Sequence, residues 1–369
     1  MQDIAGYAVS RDGSYILGCY RPCEDPLLPG WKTLVKVAVV EPLGLDNLKI
    51  IERPEPRPGA GEVLVRMRAA SLNYRDLLMI NGGYGTQQKR GDLVPLSDGA
   101  GEVVECGPGV TRWRVGDRVV SCFFAAFAGG PVSEERLRAT LGGSVDGVAC
   151  EYRVFPEGAI LPVPAHLDFI QAATLPCAAL TAWVAVISQH GIGPSHSVLT
   201  QGTGGVALFA VQFARMAGAT VISTSSSAEK LERLRALGAT HLINYNDDQA
   251  WGQTAFDLTG SGVDLVVDTG GAQTLSQAFR AVRVGGAVSI IGVVTGAKFP
   301  LHVPILIAKY ITLQPVVVGN RDQFEAMLTA IEHHGVTPVV DQVFPLADLR
   351  AALNHLKAGK HVGKVCIAI

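Results

Sequence analysis

The sequence predicts an α/β protein, a doubly wound parallel sheet joined to a β-rich part, and three observations carry that prediction. From residue 164 to 308, short apolar runs alternate with helical patterns in the order of repeated βαβ units. From 35 to 163, runs such as Lys36-Val37-Ala38-Val39-Val40 and Glu62-Val63-Leu64-Val65-Arg66-Met67 are short and punctuated by Gly and Pro, as strands are. Between the apolar run Ser197-Val198-Leu199 and a helical pattern from Val206 to Met216 lies the glycine-rich turn Thr200-Gln201-Gly202-Thr203-Gly204-Gly205-Val206-Ala207.

That turn is how a strand delivers a dinucleotide's pyrophosphate to a helix N-terminus, as in a Rossmann unit. Gly202 permits the tight bend, Gly204 lets backbone approach phosphate, and the small Ala207 lets helix pack on strand. The free N–H groups and positive dipole end of the helix then face the anion, so Gly202, Thr203, Gly204, Gly205 and Val206 are the candidate pyrophosphate contacts. A second strand, Thr220 to Thr224, completes one βαβ unit. Where an NAD site places Asp or Glu, this chain has Ser225-Ser226-Ser227. A carboxylate would repel a ribose 2′-phosphate, whereas Ser225 and Ser226 can bind one. Lys230 supplies positive charge, and Tyr245 follows the third strand, His241 to Asn244. The expected cofactor is therefore NADP(H). The competing reading is that the serines merely cap a helix.

Further along, Asp264-Leu265-Val266-Val267-Asp268 and Ala287-Val288-Ser289-Ile290-Ile291 are near-continuous apolar runs, typical of strands buried on both faces. From residue 309 a strand, two helical patterns and a final strand, Lys364 to Ile369, are expected to close the chain. Residues 1–34 are poorly patterned.

Composition removes several function classes. A net charge of −2 without a basic block excludes nucleic acid and anionic membranes as expected partners, and no apolar run reaches transmembrane length. Seven scattered cysteines, none spaced C-x-x-C, argue against a disulfide framework or structural zinc and for the cytoplasm. Nine histidines form no metal-binding pattern.

An ordered series of segments is more specific than any one of them. It comprises Ser71-Leu72-Asn73-Tyr74-Arg75-Asp76, Gly99-Ala100-Gly101-Glu102-Val103-Val104, Val115-Gly116-Asp117-Arg118-Val119, the stretch Leu175 to Trp183, the glycine turn, and Leu237-Gly238-Ala239. On these, the chain from about Val35 to Ile369 resembles the medium-chain dehydrogenase/reductase superfamily, on its zinc-independent, quinone oxidoreductase-like side. The resemblance implies a GroES-like catalytic domain built from residues 35–163 and 309–369, with a Rossmann domain, 164–308, inserted and the active site in the cleft between them.

The resemblance also supplies a test for zinc. Positions that bear Cys and His ligands in zinc alcohol dehydrogenases fall at Asn73 and near Ser97-Asp98 here, and only the third, Cys177, survives. One thiolate cannot hold catalytic zinc, which takes three protein ligands, and no cysteine falls between Phe123 and Ala149, where the structural zinc lobe would be. No metal is therefore expected. Without a Lewis acid, oxidising a simple alcohol is hard, whereas reducing a conjugated C=C leaves an enolate that hydrogen bonds can stabilise.

The expected activity is NADPH-dependent reduction of quinones or α,β-unsaturated carbonyls (enones). A metal-free alcohol dehydrogenase and a non-catalytic NADPH-binding sensor or structural protein are the alternatives. Tyr84 and Asn73 are the candidate catalytic residues: Tyr84 as a phenolic donor or as a loop residue packed on the cleft wall, Asn73 as a donor to substrate or nicotinamide ribose. Relatives also place Thr181, and backbone around Val293 and from Val316 to Val318, against the nicotinamide, and Asn320 or Arg321 is expected to line the cofactor cleft. Asp76 is expected to fix its loop by pairing with an Arg. The apolar stretch His302 to Leu313 would permit a homodimer or homotetramer. Relatives commonly begin near Val35, so residues 1–34 are expected to be an upstream extension, with Val35 the natural start.

Overall fold

The computed structural model describes residues 33–83, 88, 89 and 91–369, together with a two-residue antiparallel ladder, Ala8–Val9 against Tyr15–Ile16. The expectations for Tyr84 and for the remainder of residues 1–34 lie outside the described residues.

Six parallel strands form the nucleotide-type sheet. In spatial order they are His241–Asn244, Thr220–Ser225, Ser197–Gln201, Val263–Asp268, Val282–Ile290 and Thr312–Pro315. Every neighbouring pair is parallel, giving the doubly wound order with its switch point between the third and fourth strands. The near-continuous apolar runs arise because both faces are covered. Val198, Val221, Leu265, Val267 and Ala287 enter one core, while Leu199, Ile222, Val266 and Val288, one residue along each strand, enter the core on the opposite face.

The second sheet is mainly antiparallel. Its strands run Val340–Pro345, Lys364–Ala368, Glu62–Ser71, Asp98–Cys106, Arg118–Ser121 and Ile160–Pro162, with Tyr152–Pro156 also paired to Glu62–Ser71. Leu34–Val40 and Leu48–Pro54 form a separate hairpin. The final strand pairs with Glu62–Ser71, so chain from both ends builds this sheet.

Two expectations change. Thr312–Pro315 belongs to the Rossmann sheet, so the division expected at residue 309 falls inside that sheet's span of chain. Between the two helices Arg321–His334 and Leu349–Lys357 lies an unexpected strand, Val340–Pro345. It was illegible because its residues are half-buried or exposed, leaving no apolar alternation to read.

The apolar stretch from Thr174 to Ser188 is a compound helix. Alpha-helical Leu180–Trp183 is flanked by π-helical turns Leu175–Ala179 and Val184–Ser188. Such turns recur at functional sites because they widen the helix and re-aim its side chains. One core runs from this segment to Ala69, Ala100 and Phe123 of the β-rich part and to Phe209 and Phe213 behind the glycine turn. It thereby joins the two parts through shared packing. No helix among the described residues is long and apolar enough to cross a membrane.

Candidate active site

The glycine turn has the expected form. Ser197–Gln201 ends at Gly202, whose φ of +79° favours glycine, and the helix Gly205–Met216 starts behind Gly204. Gly204 is exposed, and a side chain placed there would meet no atom, so the ground in front of the helix N-terminus is open to a ligand. At the neighbouring switch point, Gln201 Nε2 donates to buried Asp268 Oδ2 at 3.0 Å, tying the two strand ends together.

Strand register fixes the arrangement of the residues around the serine turn. Ser225 pairs with Asn244, which sets Tyr245 beside the Ser225–Ser226 turn, and Asn246 Nδ2 donates to Ser226 O at 2.8 Å. Ser227 caps the next helix, its Oγ accepting from the Lys230 N–H at 3.4 Å. The capping reading thus holds for Ser227. Ser225 is buried, whereas Ser226 and Lys230 are partly exposed.

Asn73 sits at the N-terminus of the helix Tyr74–Ile80, in a buried polar network that the topology assembles from four elements. Its Nδ2 donates to Asp98 Oδ2 at 2.9 Å. Its Oδ1 accepts from Lys364 Nζ at 2.5 Å, and the same ammonium donates to Leu72 O at 2.6 Å. Asp98 is fully buried and richly satisfied. Oδ2 also accepts from the Cys177 N–H at 3.2 Å and Ser71 Oγ at 3.5 Å, and Oδ1 accepts from Ser97 Oγ at 2.6 Å. Lys364 Nζ stands 3.9 Å from Asp98 Oδ2.

Asp76 fixes this helix start. Its Oδ2 accepts from the Asn73 N–H at 2.7 Å, and its Oδ1 lies 3.9 Å from Arg75 Nη1, the arginine expected for it. Burial pushes the Asp76 carboxyl up to about 7, against the pull of Arg75. Burial, and then the neighbouring Asp98, push the Cys177 thiol up as well. Without a neighbouring cation strong enough to offset this, Cys177 is held as the neutral thiol.

The donor set at the zinc positions does not suit a metal ion. Asn73 and Asp98 have spent their oxygens on hydrogen bonds, and an ammonium stands beside them. Among the described residues no group of three His, Cys, Asp or Glu could hold a metal.

The remaining candidates scatter more. Thr181 is buried within Leu180–Trp183. Val316 and Val318 are buried just past the strand Thr312–Pro315, whereas Val293 is exposed. Val318 has φ +54°, a costly conformation for a β-branched residue, and Leu96, with φ +71°, directly precedes Ser97 and Asp98. Both strained residues therefore border candidate site segments. Asn320 Oδ1 is engaged as a helix cap, accepting from the Gln323 N–H at 2.9 Å, which leaves its backbone rather than its side chain for a ligand.

The residue that sequence reasoning missed is Lys364. A lysine opening the last strand looks like an exposed edge charge. Yet it is 3% exposed, because Gly363 N–H binds Thr203 O at 2.8 Å and draws the strand against the glycine turn. Gly205 leaves room for the lysine's stem, since a Cβ there would stand 2.6 Å from Lys364 Cδ.

Comparison with known proteins agrees with this architecture. Residues 59–165 match the family model described as an alcohol dehydrogenase GroES-like domain, and residues 205–333 match that of a zinc-binding dehydrogenase. The chain is 39% identical over 334 residues to a zinc-type alcohol dehydrogenase-like protein of Schizosaccharomyces pombe, covering 88% of this chain and 96% of that one. A crystal structure of a putative alcohol dehydrogenase from Sinorhizobium meliloti 1021 superposes with a TM-score of 0.87 at 39% identity, covering 92% of this chain and 99% of that one. The chain belongs to the medium-chain dehydrogenase/reductase superfamily and is an oxidoreductase of nicotinamide-nucleotide type.

More distant relatives divide by name between oxidation and reduction. An NAD-dependent alcohol dehydrogenase of Sulfurisphaera tokodaii is 27% identical, covering 86% of this chain and 95% of that one. A 2-haloacrylate reductase of a Burkholderia species is 28% identical, covering 90% and 99%. A mycobacterial quinone oxidoreductase structure superposes with a TM-score of 0.75 at 28% identity, covering 91% and 100%.

Proposed function

We propose that this oxidoreductase is a zinc-independent, NADPH-dependent reductase of quinones or α,β-unsaturated carbonyls. The observation that carries the reading is the closed network of Asn73, Asp98 and Lys364 at the positions where zinc members need ligands. The named 2-haloacrylate reductase and quinone oxidoreductase relatives support it from outside the chain. For the cofactor, the open N-terminus of Gly205–Met216 fits a pyrophosphate, with Gly202, Thr203, Gly204, Gly205 and Val206 as its contacts. Ser226 and Lys230 are the residues we assign to a 2′-phosphate, with Tyr245 beside them, and this favours NADPH over the NAD named for some relatives. Thr181 and the backbone of Val316, Val318 and Asn320 are assigned to the nicotinamide end, and exposed Val293 to its rim.

Bound NADPH would supply hydride. The chain's part is to bind, orient and neutralise. Charge driven onto a substrate carbonyl oxygen needs a fixed donor in a dry site. The Asn73 amide, with one Nδ2 hydrogen on Asp98 and the other uncommitted among the described residues, is one such donor, and Tyr84 is the second we assign. The strand Thr312–Pro315 forms a sheet edge beside exposed Val303, Ile307 and Tyr310, which supports association of copies into a homodimer or homotetramer. Scattered cysteines, unpaired among the described residues, support the cytoplasm as its compartment.

The test is dinucleotide oxidation by chelator-treated protein against a panel of quinones and enones, with NADPH and with NADH. Turnover that survives chelation and prefers NADPH is expected. Alcohol-dependent NAD reduction that requires added zinc would overturn the reading in favour of an alcohol dehydrogenase. Tight NADPH binding without turnover of any acceptor would favour a binding protein.

A further inference from the structure

We propose that Lys364 is the fixed cation of this active site, a positioning residue that orients and polarises the Asn73 amide and balances Asp98 where zinc members hold a metal ion. The inference rests on the reductase reading above and names the residue that makes such a site work without a metal.

The geometry is specific. A lysine ammonium has three N–H groups. Two are given to Leu72 O and Asn73 Oδ1 at 2.6 and 2.5 Å, and Asp98 Oδ2, at 3.9 Å, is an ion-pair partner beyond hydrogen-bond reach. Lys364 is 3% and Asp98 0% exposed, and a buried carboxylate and ammonium survive only when each compensates the other. Asn73 is held at both ends, its carbonyl on the cation and its amide on the anion. This removes the choice of flip, so the remaining Nδ2–H has a defined direction. An ammonium pulling on the carbonyl also strengthens the amide as a donor, as linked hydrogen bonds polarise one another.

The stem of Lys364 completes the argument. It lies against Gly205, and its neighbour Gly363 binds Thr203, so one residue spans the nucleotide turn and the catalytic network. Lys364 is therefore placed to act on chemistry through Asn73 while resting on the cofactor's platform.

The experiment compares Lys364→Met, Asn73→Ala, Asp98→Asn and the doubles K364M/N73A and K364M/D98N. The readouts are kcat and KM with saturating acceptor, Kd for NADPH, and melting temperature without ligand. Lys364→Met is expected to lower kcat about 100-fold, the scale of losing one preorganised donor, with Kd for NADPH changed less than about threefold. K364M/N73A should be no slower than Asn73→Ala alone, because the lysine acts through the asparagine. K364M/D98N should regain much of the melting temperature lost in each single variant, because removing both charges leaves neither unbalanced.

A preserved kcat with a tenfold weaker Kd would overturn the proposal and make Lys364 a contact to the cofactor's phosphates. Multiplicative losses in K364M/N73A would also overturn it. If the wild-type protein reduces no quinone or enone, the reductase reading fails by itself. The melting cycle still decides the charge pair: losses that simply add in K364M/D98N sink it.

Discussion

Asp76 gives a prediction whose sign and size come directly from its burial. Its side chain is fully buried and its carboxyl is pushed from 3.8 up to about 7, mainly by desolvation and against the pull of Arg75. The folded state therefore favours the protonated form more than the unfolded chain does. The resulting stabilisation is complete below the unfolded value of 3.8 and is lost as pH rises through about 7. At about 1.4 kcal/mol per pH unit, the whole window is worth on the order of 4 kcal/mol.

Asp76→Asn removes the titration while keeping an oxygen to accept the Asn73 N–H. The variant should thus gain stability relative to wild type as pH rises. Between pH 5 and 7.5 the gap should move by about 2–3 kcal/mol in the variant's favour. Thermal unfolding of both proteins across pH 5 to 8.5, without ligand, measures the gap, and other titrating groups cancel in the difference. A gap independent of pH would show that Asp76 stays ionised throughout, paired with Arg75, and would refute the desolvation argument.

Two further outcomes follow from the site. Gly205→Ala places a Cβ 2.6 Å from Lys364 Cδ and 3.1 Å from Ala178 Cβ, so it should cost about 1–3 kcal/mol through overpacking and lower kcat by moving the ammonium; an unchanged melting temperature and kcat would show that the stem has room to shift. Lys230→Ala should raise KM for NADPH at least about tenfold and leave KM for NADH nearly unchanged, since a charge-assisted phosphate contact is worth about 1.5–3 kcal/mol. Equal changes for both dinucleotides would remove the 2′-phosphate assignment.

The nucleotide half of the fold was legible residue by residue because its signals are local. The strand His241–Asn244 was read with its observed limits, and Ser197–Gln201 and Gly205–Met216 to within two residues. Buried parallel strands must be apolar, a tight turn at positive φ favours glycine, and each constraint acts within a few residues of chain. Asp76 was likewise legible, as a loop-fixing carboxylate beside an arginine. Weakly apolar Val340–Pro345 was not, because its place in the sheet is set by its partner strand rather than by its own pattern. A serine that caps a helix and one that faces a ligand look alike in sequence, and only the contact of Ser227 Oγ with the Lys230 N–H identifies Ser227 as the cap.

What the sequence determined by itself is the class of protein: the sheet, the glycine turn and the ordered segments of the superfamily. What only the tertiary structure decided is the buried charge beside Asn73 and Asp98. Lys364 lies 291 residues from Asn73 in the chain, and no local pattern distinguishes a lysine bound for solvent from one bound for a buried carboxylate. Its fate is fixed by the return of the last strand against Glu62–Ser71 and the glycine turn. Once there, the cost of burying an ammonium is met only by the carbonyls and carboxylate that the same return brings within reach.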